Sequence, residues 1–213
     1  MIPLYLIQMS KNKFRFLVPF VVLFALVPAL IEWIMASGNT GYQMSDMLRQ
    51  LHVWIPLFAT WWILLYNNDF FSSDGNELMY LIYKPGQIVL CQLFNLVLYL
   101  LFASLAFVII RFIYPFSNLL LCQLLVEAAM MGSMAFFCCY LFQNTGAALL
   151  VAVFYDIYLN LFDELSFFQG ISIFPQQMLA VEWEWSQMVK AVLGMLVFFV
   201  TGAVLVKKRR VYK

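Results

Sequence analysis

Six apolar runs divide the chain, near residues 16–36, 51–66, 88–114, 119–142, 147–162 and 188–206, each bounded by charged or turn-forming residues. A helix that crosses a membrane needs about 20 predominantly apolar residues, within a range of about 17–25. The first, third, fourth and sixth runs reach that length. The second and fifth are short and draw on flanking residues such as Tyr66 and Phe162. The runs are continuous, not alternating, which excludes a membrane β-barrel. Hydrocarbon offers no water to the backbone, so helices are the remaining solution. Composition agrees: 65% of the 213 residues are hydrophobic and 11% are charged, against about 45–50% and about 25% in soluble domains. Such a chain lacks the polar residues to cover a core facing water. The expectation is an all-α polytopic membrane protein with six transmembrane helices in one domain, residues 1–213. The first run is longer than the apolar stretch of a signal peptide and is read as retained.

Lys and Arg set the expected orientation, because cytoplasmic loops carry an excess of them. With both termini inside, Lys11, Lys13, Arg15, Lys84, Lys207, Lys208, Arg209, Arg210 and Lys213 face the cytoplasm, and Arg49, Arg111 and Lys190 face out. Nine against three favours an N-in, C-in topology. Gln8, Lys11, Asn12 and Arg15 share one helical face ahead of the first run, the pattern of a short interfacial helix. Pro19 and Pro28 are expected to kink the first span. The loop after it, 37–50, reads as a short, turn-rich outer loop. Residues 143–146, QNTG, read as a tight cytoplasmic turn. Residues 165–187, aromatic and broken by Gly170 and Pro175, read as outer-leaflet helices that do not cross.

Little in the chain points to chemistry. A net charge of +1 with no basic domain gives nucleic acid nothing to bind. Cys91, Cys122, Cys138 and Cys139 lie inside the spans without metal-ligand spacing and read as small packing residues. The lone histidine, His52, sits at the outer end of the second span, where a polar anchor is the plainer reading than a ligand. No glycine is followed by lysine, so the chain has no phosphate-binding P-loop of its own. No nucleophile elbow or HExxH pair occurs. Glu127 and Asp156 fall within the fourth and fifth spans, and Asn160 follows one turn later. A charged residue at the centre of a membrane helix costs about 2.5–3.5 kcal/mol on insertion scales. These groups must face the bundle interior, a partner or a watery cavity. They mark either a substrate or proton pathway or a set of interhelical hydrogen bonds.

Residues 72–87, SSDGNELMYLIYKPGQ, interrupt two of the most hydrophobic stretches. Asp74 can cap a helix, with Glu77 three residues on. That helix is expected from Gly75 to Lys84. Leu78, Leu81 and Ile82 fall on one face, and Glu77, Tyr80 and Lys84 on the other. Pro85 and Gly86 end it and turn the chain into the third span. The expectation is a short amphipathic helix on the cytoplasmic surface, serving either as an ordinary interfacial linker or as a handle for a partner.

The stretch SSDGNELMYLIYKPGQIVLCQLF resembles the segment between the second and third spans of ABC-2 type transporter permeases. Their pattern is an acidic residue, a small residue, Glu, two or three apolar residues, a proline and then a membrane helix. Asp74, Gly75, Glu77, Leu78, Met79 and Pro85 match it, although the Glu-to-Pro spacing is slightly long and Asp stands at 74 where Glu is more usual. The layout of an interfacial helix, six spans, a tight turn and broken outer helices is similar to that family over nearly the whole chain. The resemblance implies a half-transporter without a fused ATPase, in the plasma (inner) membrane of a bacterium. It would pair with a second permease subunit, identical or paralogous. It would also dock cytosolic ABC ATPase subunits, which bind ATP and Mg, so no cofactor is expected in this chain. Asp74, Gly75, Glu77, Tyr80, Lys84 and Pro85 would form the coupling helix. The implied activity is export of an amphipathic substrate of the lipid, peptide or drug class, with no catalysis in this chain. Two other readings stay open. A six-span substrate-capturing subunit of a vitamin importer would have a polar pocket near the outer face. An intramembrane lipid-modifying enzyme would need acids or a histidine clustered near one interface.

Overall fold

A computed structural model describes residues 13–36, 43–71, 83–114, 116–161 and 185–209. Almost all of them are helical, and no strand occurs among them. The elements in chain order are α1 (Lys13–Val21), a π-helical turn (Val22–Leu26), α2 (Val27–Ala36), α3 (Gln43–Phe71), α4 (Pro85–Ile113), α5 (Asn118–Phe142), α6 (Thr145–Leu161) and α7 (Trp185–Arg209). Among the described residues, four stretches are long and apolar enough to cross a membrane: Leu17–Ala36, Pro85–Ile113, Asn118–Phe142 and Met188–Lys208. They coincide with the first, third, fourth and sixth apolar runs, and the chain is an integral membrane protein. The apolar stretch of α6, Thr145–Tyr158, is shorter.

The two prolines of the first run do not simply bend it. Pro28 has no N–H for the carbonyl of Phe24, and its ring would crowd that carbonyl. The helix instead widens between Pro19 and Pro28 into the π turn, where the Val27 N–H reaches back five residues to the Val22 carbonyl. Such single π turns are a common way for a helix to absorb a local mismatch.

The second run differs more from expectation. The short outer loop, as far as it is described, is already helix: α3 begins at Gln43 and runs through to Phe71. Met47 and Leu51 stand four residues apart and are both buried, so this amphipathic first turn is held by packing. Asp46 in the first turn suits the positive end of the helix dipole. Polar residues along α3, among them His52, Thr60, Asn67 and Asp69, are buried inside the bundle. That burial explains why a helix of 29 residues is less apolar than its neighbours.

The turn between α5 and α6 follows its sequence. Gln143 adopts the left-handed conformation (φ 55°) that ends a helix. Asn144 Oδ1 then accepts from the N–H groups of Gly146 and Ala147 at 2.7 and 3.2 Å, capping α6.

The expected helix from Gly75 to Lys84 is corrected at its end. Tyr83 and Lys84 are not helical, and Lys84 is extended (φ −69°, ψ 145°). A residue before proline is pushed out of the helical region by the proline ring. Pro85 takes the first position of α4, where its missing N–H costs nothing. Gln87 Oε1 accepts from the Lys84 N–H at 2.9 Å and secures the junction. Asp74, Gly75, Glu77 and Tyr80 lie outside the described residues, as do most of the interfacial helix expected before the first span and most of residues 165–187.

One end of the bundle gathers the start of α1, the end of α3, the starts of α4 and α6, and the ends of α5 and α7. Asn67 of α3 accepts from Gln92 of α4 at 2.7 Å. Asn68 accepts from Thr145 of α6 at 3.2 Å. Phe71 meets Tyr140 of α5 edge-on at 5.1 Å, and Val206 of α7 is buried in the same cluster as Phe70 and Ile88. At this end lie Arg15, Lys84, Lys207 and Lys208; Arg49, Arg111 and Lys190 lie at the other.

Candidate functional site

Two polar layers cross the bundle interior, roughly 22 Å apart along α3 at 1.5 Å per residue. The layer nearer the start of α3 is built on His52. Its Nδ1 lies 2.6 Å from Glu127 Oε2 of α5, and the two side chains are 2% and 1% exposed. The other Glu127 oxygen accepts from Gln123 Nε2 at 3.1 Å, one turn earlier on α5. Asp156 of α6 is fully buried and close enough to Glu127 for the two carboxyls to interact. Three helices thus bury one imidazole and two carboxyls in the bundle interior.

The second layer lies between α3 and α4. The Asn67 amide donates to the Ile63 carbonyl at 2.9 Å and accepts from Gln92 at 2.7 Å. Asn95, one turn beyond Gln92 on the same face of α4, is wholly buried. Between the layers, Thr60 meets the Met131 carbonyl at 3.5 Å. Tyr99 donates to the Ile55 carbonyl at 2.6 Å, next to Pro56. These bonds link α3 to α4 and α5 through backbone carbonyls, a familiar form of attachment between membrane helices.

Glu127 and Asp156, the two intramembrane carboxyls singled out in the sequence, come together. Asn160 continues α6 one turn past Asp156, and its side chain is outside the described set. His52 was assigned to the outer interface as an anchor; instead it is buried and paired with Glu127. A histidine at a span end reads as an anchor when its partner is 75 residues away, and no local pattern announces that partner. The carboxylates, scattered in sequence, are clustered in space. Lys84 and Pro85 form the extended entry to α4, while the rest of the expected coupling segment lies beyond the described residues. Among the cysteines, Cys91, Cys138 and Cys139 are buried as packing residues, but Cys122 is exposed near the start of α5. Among the described residues, no group of three or more His, Cys, Asp or Glu is arranged to hold a metal ion.

The His52–Glu127 pair ties α3 to α5. Being sealed, it offers no access for a substrate without helix movement. No known family model, curated protein or solved structure matches this chain.

Proposed function

We propose that the chain is the permease subunit of an ATP-driven exporter of the ABC-2 type, moving an amphipathic substrate of the lipid, peptide or drug class. It spans the membrane six times with both termini in the cytoplasm; α3 and α6 supply the two spans beyond the four long apolar ones. Two such subunits pair, and cytosolic ATPase subunits holding ATP and Mg dock beneath them. The membrane is the plasma membrane of a bacterium.

The observation that carries this reading is the placement of Phe71 and Tyr83, the described residues that flank 72–82. The segment leaves α3 at Phe71 and rejoins the bundle at Tyr83, and both residues pack against one apolar cluster. Both residues lie at the end of the bundle that carries Arg15, Lys84, Lys207 and Lys208, the cationic end that the positive-inside rule assigns to the cytoplasm. On this reading residues 72–82 pass a push from an ATPase into α3 and α4, the helices on either side of them. The buried layers on those helices give the push something rigid to act on.

The clustering of His52, Glu127 and Asp156 meets one requirement of the intramembrane-enzyme reading. Their burial weighs against it, since a lipid substrate has to reach the reacting groups. Co-purification separates the readings. The chain should draw down an ATPase bearing a P-loop, and Glu77→Ala with Tyr80→Ala should weaken that complex or uncouple its ATP hydrolysis from transport. Unchanged assembly and unchanged coupled hydrolysis would overturn the coupling role.

A further inference from the structure

An open groove of about 350 Å³ lies where α1, α3 and α6 meet, at the bundle end where α1 begins. Its walls are mainly apolar: Trp61, Leu64 and Leu65 from α3 and Leu149 from α6. Arg15 stands at its mouth, exposed, two residues before the membrane-spanning stretch opens at Leu17. No Asp or Glu is among the described residues that line it. Asn68 and Thr145, hydrogen-bonded to each other at 3.2 Å, form its polar floor. Trp61 adds an indole N–H that is buried and has no acceptor among the described residues.

We propose that this groove holds an anionic phospholipid of the leaflet at that end, with its phosphate on Arg15 and the upper part of an acyl chain along Trp61, Leu64 and Leu149. Three observations converge on that occupant. The guanidinium is a phosphate partner with a planar fork of donors. It sits at the depth of the headgroups, because the apolar span starts two residues later. The walls below it are apolar and run inward along the helices, where an acyl chain lies. The volume is at the lower end of small-molecule clefts, which run about 300–1,000 Å³, so one chain segment and one headgroup edge fill it. The lipid binds across α1, α3 and α6 and ties the first span to the bundle. The proposal needs only membrane insertion and stands apart from the export reading.

The test uses the full-length chain purified in a neutral detergent, with phosphatidylglycerol and phosphatidylcholine of the same acyl chains as probes, read by native mass spectrometry. Phosphatidylglycerol should be retained in preference to phosphatidylcholine. Arg15→Gln should reduce that preference about fivefold, the effect of one basic residue at a membrane surface. Arg15→Lys should keep part of it. Leu149→Trp, which fills the groove and leaves the charge, should weaken both lipids together. Lys190→Gln, at the opposite end, should change nothing. No preference in the parent chain, or an undiminished preference in Arg15→Gln, overturns the site.

Discussion

Helices α5 and α7 pack against each other and follow opposite rules. The most apolar stretch of α5 has 61% of its residues buried, and that of α7 only 17%. Yet α7 is the more hydrophobic, with mean hydropathy 2.3 against 1.7. In water the greasier helix would go inside. In lipid it stays outside, because hydrocarbon solvates Leu and Val as well as a protein core does, and helices associate through close packing and hydrogen bonds instead. The buried face of α5 is accordingly made of Glu127, Ser133, Gly132 and several alanines and methionines. The outward face of α7 is Leu193, Leu196, Val197, Val200 and Val204, on a helical stripe. The polar hub and the apolar rim are two answers to one solvent.

The contrast can be broken most forcefully at Glu127. Replacing it with Leu leaves the buried His52, and the half-buried Gln123, without their shared acceptor. The expected loss is about 3–5 kcal/mol, the usual cost of removing one partner from a buried pair. Reversible unfolding in mixed micelles measures it. The His52→Leu, Glu127→Leu double variant should recover part of the loss, since the two residues act as one unit.

On the rim, Val197→Lys should cost about 2.5–3.5 kcal/mol of membrane insertion, while Val197→Leu should be neutral. Glycosylation-reporter insertion assays distinguish the two. Easy tolerance of lysine there would mean that the outer face of α7 is covered by something other than lipid, a second subunit being the first candidate.

The smallest expected effects lie at the seam between the two helices. A Cβ on Gly202 would stand 2.8 Å from the Phe136 ring, with the Phe137 Cα 3.4 Å behind. Gly202→Val should therefore cost about 1–3 kcal/mol by overpacking. At Gly194 the nearest atoms belong to Met130 at 3.4 Å, ordinary contact with a flexible side chain. Gly194→Ala should stay within about 0.5 kcal/mol of the parent. Equal effects at the two glycines would show that α7 does not approach α5 more closely at its Lys207 end.

Legibility followed the same division. The four long apolar runs read as helices from their length, and the QNTG turn read from its residues, because Gln143 and Asn144 do their work within a few positions. The start of α3 did not read as helix, because Gly38, Gly41 and Ser45 are turn formers and the burial of Met47 and Leu51 is a property of their neighbours. The expected helix does not extend to Lys84, because Pro85 forces the residue before it out of the helical region. The hub was half legible. Glu127 and Asp156 stood out by the cost of charge in lipid, whereas His52, at a span end, had a cheaper explanation.

By itself the sequence determined that this chain enters a membrane as helices, since hydrocarbon leaves backbone groups no other partners and the apolar runs have the required length. It determined equally where charge sits along the chain, and so which helix ends are cationic. Only the tertiary structure decided what those helices present to one another. Which of two apolar helices faces lipid, and whether a histidine anchors at an interface or pairs with a glutamate in the interior, depends on contacts between residues far apart in the chain. The energy of such contacts belongs to the packed bundle and to no segment of it.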